Sequence, residues 1–340
     1  ILLEERNFTK KKCVQLTNRQ YGQMHTIFIE DLFFKKDILK FNNPKAIIYH
    51  NLDDVFPRFY VGIINKQHVP TLTHTFFDTS EKCFNTLDVS KFNLRSNNTS
   101  SSSFFDSAFM VPIFPTDKFK TSLISYGQNL KFEGQVELRI YSSNGELVFN
   151  RALETREVKL LCQMSSFDMS FEAITASLPS DSNKYSLFLG FVDIQKPFPK
   201  RFKLGFNVKR KEAELGTNIC FSPLVINENS LKKPFTRRWF PLGGSQNFVA
   251  SIHNTELLIN NFSGETNFLF EFVNYEGNIL KRKIVLKSNS SFFLDKDHDD
   301  QLISLFEDKV GWCIVTAETY HMDAYFFSIA KNQIGGDHAF

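Results

Sequence analysis

The sequence predicts a mainly β protein: tandem antiparallel β-sandwiches, Ig-like or jelly-roll-like, with little helix. Three observations predict it. Apolar and polar residues alternate with a period of two, as Val136, Leu138 and Ile140 do against Glu137 and Arg139. That is the period of a strand with one buried face. The chain holds 39 Phe against 2 Trp, and Phe favours strands and buries a large area with no polar handle. A bias to Phe, Asn, Lys, Ile and Ser also fits an AT-rich coding genome. The third observation is a stretch that returns.

"VFPRFYVGIINKQHVPTLTHTF" (Val55 to Phe76) recurs in blurred form from Pro197 to Phe221 and from Tyr325 to Phe340. Each copy reads as an aromatic strand, a polar turn and a short strand closing in Phe, so it is taken as the closing hairpin of a repeated domain. Earlier landmarks also repeat. Pro112 to Tyr126 resembles Arg238 to His253, and Glu137 to Arg151 resembles Leu269 to Lys283. In the latter pair Gly145 and Gly277 end equivalent turns, where positive φ is cheap for glycine. Ser186–Ile194 and Gly311–Glu318 are more densely apolar and read as central strands.

Helix signal is confined to two stretches. Residues 28–41 form one candidate. Asp295 to Asp308 forms the other, with acids in its first turn. These elements divide the chain into a shorter or truncated N-terminal β-unit (1–92), a Ser/Asn-rich linker (93–105), a sandwich (104–226), a second linker (227–234) and a second sandwich (235–340).

Composition bounds the function. Net charge is +3 and the basic runs at Lys10–Lys12, Lys209–Lys211 and Arg237–Arg238 are short. They form no nucleic-acid footprint. Five scattered Cys in no ligand-like spacing read as reduced thiols, which points to the cytoplasm. No apolar run reaches the roughly 18–20 residues of a membrane span. The start at Ile1 leaves room for a removed targeting segment. Triplets of the N-x-S/T kind at Asn7, Asn97, Asn98, Asn261 and Asn289 are what so much Asn, Ser and Thr supplies by chance.

Two constellations carry candidate chemistry. Arg237 and Arg238 beside Trp239 could stack on a sugar or hold an anion. His321, Asp323, Asp337 and His338 could hold a divalent metal through imidazole and carboxylate, though no pair has a ligand spacing such as HExxH. His338 matches His74, with Ile219 at that place in the middle unit, which also suits a half-buried strand position. Asp295–Asp300 lacks the glycine and distal Glu of a calcium loop and reads as an acidic turn. No nucleophile elbow, phosphate loop or dinucleotide fingerprint is present. The expected function is therefore a non-catalytic binding or structural protein without a cofactor. The alternatives are a metal-binding protein or metal-dependent enzyme, and a carbohydrate-binding module. Phe doublets at 33–34, 76–77, 104–105, 292–293 and 326–327 demand burial on both strand faces. They suggest a rigid array, a protein partner or self-association.

Overall fold

The structure is a computed structural model. The described residues are 2–5, 8–11, 27–38, 45–47, 60–63, 71–74, 84–85, 107–115, 117–125, 134–163, 168–170, 175, 178, 184–192, 198–199, 204–213, 216–221, 224–225, 235–243, 247–255, 265–319, 322–330 and 333–339. They are mainly β with little helix and antiparallel sheets, as the alternation predicts. No helix among them is long and apolar enough to cross a membrane. Contacts divide the chain into two compact units, Ile1–Pro57 and Arg58–Phe340. The expected N-terminal unit, 1–92, extends across that division, and much of it lies outside the described residues. So do both expected linkers.

In the first compact unit, β1 (Leu2–Glu5) pairs on either side with β2 (Phe8–Lys11) and β3 (Lys45–Ile47). The helix expected at 28–41 is two single turns, α1 (Ile29–Leu32) and α2 (Lys35–Ile38). Phe33 breaks them by adopting extended geometry, φ −123° and ψ 145°. Extension sends neighbouring side chains to opposite sides, so Phe33 is buried while Phe34 is 75% exposed.

The second compact unit begins with the hairpin β4 (Tyr60–Ile63) and β5 (Thr71–His74). A small sheet pairs β6 (Phe84–Asn85) with β13 (Phe198–Pro199). Two sandwiches make up the rest. The middle one uses β7 (Ser107–Ile113), β8 (Phe119–Ser125), β9 (Gln135–Ser142), β10 (Leu147–Ala152), β11 (Asp168–Ser170), β12 (Tyr185–Val192), β14 (Leu204–Arg210), β15 (Thr217–Phe221) and β16 (Leu224–Val225). The last uses β17 (Thr236–Gly243), β18 (Asn247–His253), β19 (Glu265–Asn274), β20 (Ile279–Lys287), β21 (Ser291–Asp295), β22 (Val310–Ala317), β23 (Asp323–Ala330) and β24 (Gln333–His338).

Strand order shows the two to be copies of one plan. The middle sheets run β10-β9-β12-β7, extended by β16, and β11-β8-β14-β15. The last sheets run β20-β19-β22-β17 and β21-β18-β23-β24, the same order strand for strand. The hairpins β9–β10 and β19–β20 turn at Gly145 (φ 83°) and Gly277 (φ 86°), as the sequence comparison requires. Both central strands, β12 and β22, lie inside their sheets.

The ladders correct the sequence alignment at β7 and β17. Val111 pairs with Leu187 and Phe240 with Cys313, each on the inner face of a central strand. Met110-Val111-Pro112-Ile113 is therefore the counterpart of Trp239-Phe240-Pro241-Leu242. Aligning the Phe-Pro pairs, Phe114-Pro115 with Phe240-Pro241, slips this strand. A second correction concerns the closing hairpins. Ile219 pairs with Phe206 inside the middle core, whereas His338 pairs with Tyr325 on the opposite face of its own sheet. His338 is not the counterpart of Ile219.

Helices differ between the copies. The middle sandwich inserts α3 (Thr155–Gln163) after β10, a helix the sequence reading missed. It buries Val158 and Leu161 and is tied down by the Arg151–Glu157 pair at 3.0 Å. In the last sandwich Lys296–His298 forms a 3-10 turn and α4 spans Asp300–Phe306, inside the expected stretch. Asp299 caps α4 by accepting from Leu302 N–H, and its carboxylate is held by Arg282.

The last sandwich completes the core of the middle one. On β23, Phe326 packs in the last core, while Tyr325 and Phe327 join the middle core with Ile334 of β24. The Phe327 ring lies edge-on to Phe114 at 4.8 Å. A doublet on a strand is thus buried on both faces, as expected. Phe292 likewise packs in the last core while Phe293 meets His253 at the junction. β15 neighbours both β5 and β24, so the closing hairpins of successive units lie against one another.

Candidate functional site

The outer face of the sheet β17-β22-β19-β20 is a grid fixed by ladder register, because partners in a ladder point to the same side. One row across the four strands is Arg237, Thr316, Leu269 and Lys283. The next is Trp239, Ile314, Glu271 and Lys281, and the third is Pro241, Trp312, Val273 and Ile279. Both tryptophans of the chain are on this face, 51% and 42% exposed for Trp239 and Trp312. They sit diagonally on adjacent strands, about 7–8 Å apart. Arg237, Trp239, Pro241, Gly311, Trp312 and Ile314 line an open groove of about 550 Å³. Lys281 is paired with Glu271 at 2.6 Å. Arg237 and Lys283 make no ion pair among the described residues.

Of the expected ligand residues, the structure brings Arg237 and Trp239 together and places Arg238 elsewhere. Arg238 is half-buried and pairs with Val315 of the inner face, so it points away from Trp239. Alternation on a strand forbids three consecutive residues from sharing one surface. The sequence reading missed Trp312, which reaches this face from 73 residues away in sequence through the pairing of β17 with β22.

Of the expected metal residues, His321 lies outside the described residues. Asp323 accepts from the Met110 N–H at 2.8 Å and the Thr255 hydroxyl at 2.7 Å. Asp337 accepts from the His338 N–H at 2.8 Å, and His338 Nδ1 lies 3.0 Å from the Ala339 carbonyl. Asp337 pairs with Phe326 and His338 with Tyr325 on opposite faces of the ladder, yet His338 Nε2 still comes within 4.0 Å of an Asp337 carboxylate oxygen. No group of three or more His, Cys, Asp or Glu among the described residues is placed to hold a metal.

A buried polar cluster joins the two sandwiches. His253 Nδ1 lies 2.7 Å from the Ser291 hydroxyl and 3.1 Å from the Ser186 hydroxyl, and the two hydroxyls are 2.8 Å apart. Ser291 N–H also donates to the Ser143 carbonyl at 2.9 Å. Burial pushes the His253 imidazole down to about 4, partly offset by the charge on Asp323. The ring is neutral at pH 7. Serine and imidazole in contact suggest a nucleophile, but Ser186 and His253 are both 0% exposed. A nucleophile and its base need a substrate within hydrogen-bond reach. This cluster is a fastening. The sequence reading grouped His253 with His298, His321 and His338 as a possible metal set and did not foresee its contact with Ser186 and Ser291.

No protein-family model matches this chain, and no curated protein matches it. Among solved structures it is similar to a β-glucuronidase 2 from Bacteroides uniformis, at 9% identity over 71% of this chain and 26% of that one, with a TM-score of 0.16. It is also similar to the CupB6 tip adhesin from Pseudomonas aeruginosa, at 8% identity over 71% of this chain and 94% of that one, with a TM-score of 0.14. The chain spans about a quarter of the β-glucuronidase's length. At such TM-scores neither likeness carries an argument.

Proposed function

We propose that this is a non-catalytic binding protein built from repeated β-sandwiches, with the outer face of β17-β22-β19-β20 as its ligand surface. One observation carries the reading. The counterparts of Trp239 and Trp312 in the middle sandwich are Met110 and Ser186, each 0% exposed. The last copy presents the same positions to solvent, and fills them with tryptophan. Large aromatics exposed on a stiff sheet are the residues that anchor ligands and partners. The metal-binding alternative gains no supporting observation among the described residues.

The chain's own tryptophans test the proposal. Both are open to acrylamide quenching in the free protein if the face is bare. Titration with a panel of polysaccharides, peptides and nucleic acids should identify a class that shields them. A ligand that binds without shielding, and equally well to the W239A/W312A variant, would place the function elsewhere on the molecule.

A further inference from the structure

The face described above carries chemical information about its ligand. The groove of about 550 Å³ is in the range of small-ligand sites. The groove is open and lies over the adjacent strands β17 and β22, which suits a segment of a chain molecule passing over it. Its floor is Trp239, Pro241, Trp312 and Ile314, which are stiff apolar surfaces. Such surfaces stack on the C–H faces of pyranose rings. The charges on these strands are mixed with a positive surplus, Arg237, Lys281, Lys283 and Lys287 against Glu265 and Glu271. Glu271 is neutralised by Lys281, leaving Arg237 and Lys283 at the two ends of one row. Three strand spacings separate them, about 14 Å. The Arg237 side chain also lines the groove. A planar guanidinium beside a stacking platform suits a carboxylate borne on a sugar ring.

We infer that the last sandwich binds an acidic polysaccharide of the polyuronate kind. Trp239 and Trp312 stack on successive sugar faces, Arg237 pairs with a uronate carboxylate at the groove, and Lys283 attracts a second carboxylate along the chain. This inference rests on the binding reading above and narrows it to one ligand class.

The test is affinity electrophoresis of the whole chain in native gels holding polygalacturonate, hydroxyethylcellulose or poly-glutamate. The expected result is retardation by polygalacturonate alone. W239A/W312A should abolish it, and R237A should weaken it about tenfold, as loss of one charge-assisted hydrogen bond does. K283A should weaken it less and flatten its salt dependence. All four side chains are on the outer face, so the folded state is checked by an unchanged melting temperature. Equal retardation by poly-glutamate would show simple ion exchange and overturn the inference. Equal retardation by hydroxyethylcellulose would overturn the acidic class while leaving the binding surface standing. Retardation by polygalacturonate that survives W239A/W312A would overturn both readings. No retardation by any of the three would overturn the polyuronate inference, and acrylamide shielding by another ligand class would then decide the binding reading separately.

Discussion

Truncating Phe327 to alanine should weaken a sandwich to which Phe327 does not belong in sequence. The ring is 1% exposed and sits in the middle core, 4.8 Å from Phe114 and 6.4 Å from Phe206. A buried Phe removes roughly 150–200 Å² from water, worth about 4–5 kcal/mol at ~25 cal/mol per Å². Large-to-small series give about 3–5 kcal/mol for the same change, so the two routes agree. The assay is urea denaturation followed by two signals. Both tryptophans report the last sandwich, while far-UV circular dichroism reports both. In the native chain the two signals should coincide, since the cores are joined. In F327A the circular dichroism transition should shift to lower urea and separate from the tryptophan transition. F326A removes the same ring from the last core and should move the tryptophan signal first. A loss below about 1 kcal/mol in F327A would refute the shared core.

Other consequences follow from the same junction. His253 has a folded value of about 4 against an ordinary 6.5, so the unfolded chain takes up its proton first. Stability from this group is intact above pH 6.5 and falls as pH drops toward 4, by about 3 kcal/mol. H253Q should flatten urea midpoints across that window, and parallel losses in both proteins would contradict the assignment. Gly145 and Gly277 both hold positive φ, but a Cβ on Gly145 would lie 2.7 Å from the Ser288 carbonyl oxygen while one on Gly277 meets nothing within 4 Å. G145A should therefore cost at least about 1 kcal/mol more than G277A in thermal or urea unfolding. Native mass spectrometry with elemental analysis should find the chain free of stoichiometric metal, and a bound metal would send attention back to His321, Asp323 and His338.

Period was legible in this sequence, and phase was not. Alternation in Gln135–Tyr141 and the glycine-ended turns identify strands and hairpins without help, because both signals are local. The Phe doublets announced two-sided burial for the same reason; 326–327 shows it, whereas 33–34 does not, since Phe34 is exposed. Which residue faces which partner is set by the neighbouring strand, which lies far away in sequence. That is why the Phe-Pro pairs invited a slipped alignment of β7 with β17. It is also why Arg238 was grouped with Trp239 although the pleat separates them. Trp312 could have been paired with Trp239 only by knowing that β22 lies beside β17. The Ser186–His253–Ser291 cluster needs a contact between sandwiches, and no local pattern encodes that. The helix α3 is short and follows a strand directly, so its apolar positions merged with those of the sheet.

The contrast between the two copies bears on what the exposed face is for. An antiparallel sheet with one wet face ordinarily places polar residues there. Here the wet face carries Trp239, Pro241, Trp312, Leu269, Ile279 and Val285. A contiguous apolar surface left exposed favours association. One could instead regard the face as a relic of the plan that buries Met110 and Ser186 in the middle copy. The residues argue against that. A relic would keep the small or flexible side chains that suit a packed junction, whereas the last copy has two indoles and an arginine. The two views diverge under one substitution. W239M/W312S restores the middle copy's residues at both positions. If the face is a relic, this variant binds every ligand of the native protein unchanged and is simply more soluble. If the face is a platform, polygalacturonate retardation disappears while the urea midpoint stays where it was.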